Sequence, residues 1–179
     1  MADWYVMRAT GVVSLVLLTL VTALGIATAR GWRPGRAPRF LTLLLHRNLS
    51  LLAVVFVAVH VVTALFDQYS GVTLASVVVP FAAHWRPLYV GLGTVSLDLL
   101  AAVIATSLLR LRLGFGMWRS VHLLAYVSWP VAVVHTLGSG TDASTPWLRA
   151  LTLGCIALVV AVFVARVVPR KRLVPQVAR

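Results

Sequence analysis

Four of the five histidines lie in two apolar stretches of the sequence, as two pairs. His46 and His60 are separated by a step of 14 in one stretch, and His122 and His135 by a step of 13 in the other. In a helix that rises about 1.5 Å per residue, these separations correspond to about 21 and 19.5 Å. Histidine is costly inside a membrane and usually serves a function there. These four residues are therefore the first candidates for a site.

The chemistry that suits this pattern is the binding of haem iron. Imidazole is a common haem ligand, and a haem can lie between two facing helices of a bundle. If the two helices are parallel, His46 and His122 share one depth, and His60 and His135 share another. There are two alternatives to haem. The first is that each histidine simply hydrogen-bonds to a neighbouring helix, and the second is another metal. A zinc or copper site is disfavoured because the two depths are too far apart for one metal, and no carboxylate or thiol joins either pair.

The angular positions of the histidines around each helix axis support the proposed pairs less well than their depths do. At about 100° per residue, a step of 14 leaves His60 about 40° from the face of His46. A step of 13 leaves His135 about 140° from the face of His122 on an ideal helix. Pro130 lies between these two residues and cannot donate a backbone hydrogen bond, so we expect a kink there to re-aim the outer half of the helix.

The elements that must position the histidines are transmembrane helices. Apolar side chains make up 60% of the chain and charged ones 11%, whereas soluble domains carry about 25% charged residues. One cysteine excludes a disulfide scaffold and a four-thiolate zinc site. We predict an all-α membrane protein in which residues 1–169 form a haem-binding bundle and residues 170–179 a basic cytoplasmic tail. Its five helices are expected near Trp4–Ala29, Phe40–Phe66, Leu88–Leu109, Phe115–Leu137 and Pro146–Val168.

The basic residues predict the orientation of these helices. The net charge of +12 would suggest nucleic acid in a soluble protein, but the arginines lie between apolar runs, so nucleic acid is not expected as a partner. They concentrate at 30–39, at 110–119 and in the tail after Val164, which alternate along the chain. The positive-inside rule places these segments in the cytoplasm. The N-terminus is then outside, the C-terminus inside, and the second and fourth helices are parallel.

Two further features belong to the outer side and to the middle of the membrane. The middle of the connector 67–87, GVTLASVVVPF, is apolar but too short to span, so we expect it to lie in the interface or to fold back over the bundle. Asp98 lies in the middle of the third span, and we expect it to be protonated, bound to Ser96, Thr94 or a buried water, or part of a proton path.

The paired segments HRNLSLLAVVFVAVH and HLLAYVSWPVAVVH resemble the ferric-reductase-like transmembrane domain. That superfamily includes NADPH oxidases, ferric-chelate reductases and the haem-binding subunit of a periplasmic methionine sulfoxide reductase. The resemblance covers nearly the whole chain. It implies a b-type cytochrome of the bacterial cytoplasmic membrane that passes single electrons, with His46 and His122 on the inner haem and His60 and His135 on the outer one.

The sequence also departs from the family pattern. No GxGxxG motif and no soluble domain follow the fifth helix, so flavin is expected only through a partner. Ala64 stands where NADPH oxidases tend to carry a second histidine one turn after the outer ligand, which weakens an oxygen-reducing role.

Several residues near the histidines are candidates for supporting roles. Arg47 and Arg119 could pair with haem propionates, or simply anchor the helices at the interface. The resemblance places Arg8 by the outer haem and its electron acceptor; the alternative is again interfacial anchoring. Trp129 and Phe56 could fill the space between the two haem levels, although ordinary aromatic packing is the more common explanation.

The resulting expectation is a dihaem electron-transfer protein, the membrane component of a reductase system. Its cofactors would be two haems b, its environment the lipid bilayer, and its donor a separate flavoprotein or a quinol; the acceptor is also separate. One alternative is a quinone-linked subunit that feeds an extracytoplasmic reductase. The other is a haem-free scaffold or transporter, for which the sequence offers no inverted repeat or broken helix.

Overall fold

The computed structural model describes residues 2–29 and 38–168. Long apolar runs form helices because backbone groups in lipid must bond within their own segment. In chain order these are α1 (Ala2–Thr28), α2 (Arg39–Phe66), α3 (Leu74–Val78), α4 (Pro87–Leu108), α5 (Arg110–Leu113), α6 (Phe115–His122), α7 (Ala125–Ser139) and α8 (Pro146–Val167). A short 3₁₀ helix, Thr141–Ser144, joins α7 to α8.

Five stretches of the described chain are long and apolar enough to cross a membrane. They are α1, α2, α4, the combined α6 and α7, and α8, so the all-α, five-span prediction is confirmed and each predicted end lies within two residues of the observed one. The basic residues at 30–37 and the predicted tail 170–179 lie outside the described residues.

Helix α1 lies at the centre of the bundle and packs against α2, α7 and α8, while α4 packs against α7. Trp129 of α7 is 9% exposed, and its indole Nε1 donates to the hydroxyl of Thr19 on α1 at 2.9 Å. Between α4 and α7, the buried hydroxyls of Ser96 and Ser128 lie 2.9 Å apart. Small and hydroxyl side chains of this kind let membrane helices approach closely. The apolar core around Trp129 consists of Leu15, Ala23, Ile26, Val133, Cys155 and Val159.

The fourth span is interrupted at residues 123–124 and not at Pro130, which lies inside α7. The break in the regular helix assignment therefore lies nearer to His122 than to His135. Here three backbone hydrogen bonds reach back three residues instead of four, those from the N–H groups of Leu124, Tyr126 and Val127. Local 3₁₀ turns of this kind are a common way for membrane helices to accommodate a proline.

The 3₁₀ turns change the angular relation between the two histidines of this span. A 3₁₀ turn advances about 120° per residue instead of about 100°. The extra winding rotates His135 in the direction that closes the gap of about 140° to the face of His122. At about 20° of extra rotation per residue, the 3₁₀ turns just after the inner histidine close part of this gap.

The connector between α2 and α4 folds back over α4. Thr73 and Ser76 form a capping box at the start of α3, and the hydroxyl of Thr94 on α4 donates to the Ser76 carbonyl at 2.7 Å. Phe81 packs on Gly91, where a Cβ would collide with its ring. The sequence predicted that the connector either lies in the interface or folds back over the bundle, and the structure shows the second arrangement.

Candidate functional site

The structure places the four histidines of α2 and the fourth span in two pairs at two levels. The ring centroids of His46 and His122 are 6.4 Å apart, with 67° between the ring planes. Those of His60 and His135 are 6.5 Å apart, with 74° between the planes. Each pair therefore joins α2 to the fourth span across the same gap. Each histidine of α2 thus has a partner on the fourth span, although the histidines are 14 residues apart in α2 and 13 apart in the fourth span.

The width of the gap suits a single metal atom between two imidazoles. Imidazole nitrogen binds metals at about 2.0 Å, so two rings on opposite sides of one atom have centroids about 6 Å apart. Among the described helices, α2 packs closely against α1 but not against α6 or α7. Each histidine pair thus lies between two helices whose backbones are not in close contact, an arrangement compatible with a planar group held between facing helices.

The outer pair is oriented by two backbone carbonyls. Nδ1 of His60 lies 2.8 Å from the Met7 carbonyl, and Nδ1 of His135 lies 2.8 Å from the Tyr89 carbonyl. A carbonyl can only accept, so each Nδ1 carries the proton and donates. Each Nε2 is then left with a lone pair, which is the form of histidine that binds a metal and is typically oriented in this way.

The inner pair is oriented differently. The indole of Trp118, one turn before His122, stacks on the His122 ring with centroids 5.0 Å apart. Within the described residues, Nδ1 of His46 and Nδ1 of His122 are buried without a hydrogen bond of good geometry, although the Val21 carbonyl lies on the His46 side. Buried polar nitrogens are nearly always satisfied. The described structure thus gives the inner rings no hydrogen bond like those that orient the outer pair.

Three glycines leave room for the histidine rings. A Cβ built on Gly93 of α4 would lie 2.6 Å from Nδ1 of His135, and one on Gly11 of α1 would lie 2.9 Å from Cε1 of His60. A Cβ on Gly25 would lie 3.4 Å from Cε1 of His46, which is ordinary contact. The outer rings therefore depend on glycine, whereas the inner ring tolerates a methyl group.

Sequence reasoning missed these glycines, although two of them carry a signal. Gly11 and Gly25 are separated by the same step along the chain as His46 and His60. Helices α1 and α2 are antiparallel neighbours, so an equal step brings each glycine opposite one histidine. Gly93 carries no comparable signal, because α4 meets the fourth span in a register that only the packing determines.

The expected supporting residues fall into two groups. Arg47 and Arg119 are both exposed, on α2 and α6 beside the inner histidines, and the described structure shows no ion pair for either. Arg8 forms an ion pair with Asp142 and lies over the Trp4 ring, 4.3 Å from its centroid. It directly follows Met7, whose carbonyl orients His60.

The aromatic and acidic candidates have simpler environments. Trp129 is a core residue, at a depth between the two pairs, and Phe56 is half-buried on α2. Asp98 is exposed on α4. The predicted bonds from Ser96 and Thr94 to Asp98 were wrong, because those hydroxyls bond to Ser128 and Ser76 instead.

No group of three or more histidine, cysteine, aspartate or glutamate side chains in the described part of the chain is placed to hold a metal ion. Each histidine pair can therefore supply two protein ligands only. Two axial ligands are what an iron needs when a porphyrin supplies the others. The four histidines thus fit two haems better than bare metal ions, which would need further protein ligands.

Comparison with families of known proteins identifies a match over more than half of the chain. The family described as ferric reductase like transmembrane component matches residues 10–133. The matched range contains His46, His60 and His122 and ends two residues before His135. No curated protein and no solved structure shows a significant match to the chain.

Proposed function

Because the chain belongs to the ferric-reductase-like transmembrane family, we propose that this multi-pass membrane protein is a b-type cytochrome with two haems. In this proposal His46 and His122 ligate the inner iron, and His60 and His135 ligate the outer iron. The protein passes single electrons between the two sides of the membrane as the membrane component of a reductase system.

The observation that carries this proposal is the repetition of one geometry at two levels. The two ring-to-ring distances, 6.4 and 6.5 Å, are nearly equal although they arise from different spacings in the sequence. Histidines that merely bonded to neighbouring helices would need no such match. A shared ligand of fixed size at each level explains why both gaps have the same width.

A bound haem would supply an iron that accepts and releases one electron, and the chain supplies the rest. The carbonyls of Met7 and Tyr89 hold the outer imidazoles in one tautomer and one orientation. Trp118 holds the His122 ring by stacking. The four histidines are half-buried in the bundle, and burial is one of the factors that would set the potential of a bound haem.

The charged residues divide between the two sides. Arg47 and Arg119 are exposed beside the inner ligands, where we propose that they pair with haem propionates. From the basic segments and the positive-inside rule, we propose that the inner side is cytoplasmic and that the N-terminus is outside. We propose the bacterial cytoplasmic membrane as the location. Arg8, held by Asp142 and Trp4 next to the outer pair, is proposed to face the electron acceptor.

The test of this function is haem stoichiometry. The protein, purified in detergent after expression with haem available, should contain two haems b per chain by the pyridine haemochrome assay. The matched control is the variant with His60→Ala and His135→Ala together, which should retain one haem. A preparation without a Soret band, from cells that load other b-type cytochromes, would rule out the proposed function.

A further inference from the structure

The two histidine pairs differ in what surrounds their imidazole rings. At the outer level, Nδ1 of His60 and Nδ1 of His135 each lie 2.8 Å from a backbone carbonyl. At the inner level, Nδ1 of His122 has no hydrogen bond within the described residues. The His122 ring lies instead against the indole of Trp118, with centroids 5.0 Å apart and 28° between the planes. One inner histidine therefore has an aromatic ring as its neighbour where the outer ones have a carbonyl.

Trp118 is held in place by residues of three helices. Its Nε1 donates to the hydroxyl of Ser107, on α4, at 3.3 Å. The guanidinium of Arg110, on α5, lies over the indole at 5.6 Å from the ring centroid. The Phe115 ring, on α6, is also 5.6 Å away and is tilted by 40°. A rotation of the indole would break these contacts, so Trp118 restrains the plane of the His122 ring that stacks on it.

The same contacts bring a positive charge close to an inner ligand. The distances from Arg110 to the indole and from the indole to His122 place the guanidinium carbon within about 11 Å of the His122 ring centroid. A ferrous iron carries one positive charge fewer than a ferric iron, so a nearby cation stabilises the reduced state. At the outer level, Arg8 is paired with Asp142, and the two opposite charges largely cancel at a distance.

The hydrogen bonds of the outer pair act in the opposite direction. A carbonyl that accepts from Nδ1 makes the imidazole a more basic ligand, and a more basic ligand stabilises ferric iron. Hydrogen bonds to the axial ligands are among the factors that set a haem potential. His122 has no such bond within the described residues. The charges and the hydrogen bonds therefore both favour reduction at the inner level.

We propose that the inner iron has the higher reduction potential of the two, and that Trp118 and Arg110 are positioning residues that raise it. This inference rests on the proposed function and adds the order in which the two sites are reduced. A single electron from the donor converts the inner iron from ferric to ferrous and stays there. The outer iron becomes ferrous when it takes that electron, which returns the inner iron to the ferric state, or when a second electron follows.

Redox titration of the full-length holoprotein in detergent, followed by optical and EPR spectroscopy, tests this order. Arg110→Gln removes the charge over the indole. Arg112→Gln is the matched control, because Arg112 belongs to the same short helix, is also exposed, and has no aromatic contact in the part of the chain that the structure describes. Trp118→Leu removes the stacked ring, and Trp118→Phe keeps one. The variant with His60→Ala and His135→Ala together identifies the inner component.

The wild type should show two low-spin components, with the inner one at the higher potential. Arg110 is exposed, so water screens its charge. Arg110→Gln should therefore lower the equilibrium constant for reduction of the inner iron by about two- to fivefold, or about 20–40 mV at about 59 mV per tenfold change. The outer component and the haem content should stay unchanged. Arg112→Gln should shift the inner component by less than Arg110→Gln does.

The Trp118 variants test the orientation of the ligand. The largest EPR g value of a low-spin iron with two histidine ligands depends on the angle between the imidazole planes. Trp118→Leu should change this value at the inner iron only, and Trp118→Phe should restore most of it. A residue that merely packs the end of α6 would alter thermal stability without moving the potential or the g value of one site.

Equal potentials, or a higher potential at the outer iron, would overturn the proposed order. Equal shifts in Arg110→Gln and Arg112→Gln, or an unchanged EPR signal in Trp118→Leu, would overturn the role of the stacked indole. In each of these cases two haems are bound, so the proposed function stands while this inference fails. A protein that binds no haem would overturn the proposed function, and the inference with it.

Discussion

Gly93→Ala should weaken the outer haem site specifically. The methyl group would start 2.6 Å from Nδ1 and 2.7 Å from Cε1 of His135, whereas carbon contacts settle at about 3.5–4.0 Å. The His135 ring must therefore move by about 1 Å, and the 2.8 Å bond to the Tyr89 carbonyl is lost. The backbone itself is not harmed, because alanine is about 1 kcal/mol better than glycine in a helix.

The magnitude follows from these two effects. Overpacking costs about 1–3 kcal/mol and a lost hydrogen bond about 0.5–1.5 kcal/mol. A combined loss of about 2–4 kcal/mol lowers the affinity of the outer site for haem by about 30- to 1,000-fold. Gly11→Ala should have a smaller effect on the same site, because its Cβ would lie 2.9 Å from the His60 ring. Gly25→Ala, at 3.4 Å from His46, is the matched control.

Redox titration with optical detection, together with haem content per chain, measures the effect. Wild type and Gly25→Ala should show two low-spin components, and Gly93→Ala should show the inner component alone or with a reduced outer one. Equal losses of haem in Gly25→Ala and Gly93→Ala would refute the reasoning, because the distances from the added methyl groups to the histidine rings would then have no bearing on haem binding.

Three further predictions concern the ligands, the orientation and the core. Within each pair the single histidine variants to alanine should share one spectral signature, because both rings serve one iron; a shared loss by His46→Ala and His135→Ala would contradict the pairing. Reporter fusions should place 110–119 in the cytoplasm and 138–144 outside, and the reverse result would overturn the orientation drawn from the arginines. Thr19→Val should lower the free energy of unfolding in detergent by about 1–3 kcal/mol, since it leaves the buried Trp129 Nε1 without an acceptor. Thr152→Val, which loses only a bond to the Leu148 carbonyl of its own helix, should cost less, and equal losses would show that the Trp129 bond adds nothing.

The sequence by itself determined the properties that depend on one helix at a time. A span is a matter of length and hydrophobicity, so all five could be predicted with ends close to the observed ones. Depth along a helix depends only on the rise per residue, which varies little, so the two levels of the histidines could be predicted as well. The match between His46–His60 and Gly11–Gly25 was also present in the sequence, as two equal steps.

Only the tertiary structure decided what depends on rotation about a helix axis and on which helices meet. The angular position of a residue accumulates every local change in winding, and the 3₁₀ turns after His122 could not be located from Pro130 alone. The contact of Gly93 with His135, and the partners of Ser96 and Thr94 that leave Asp98 exposed, follow from the register of α4 on its neighbours. That register is set by side-chain packing between helices, a property of pairs of segments that neither segment encodes alone.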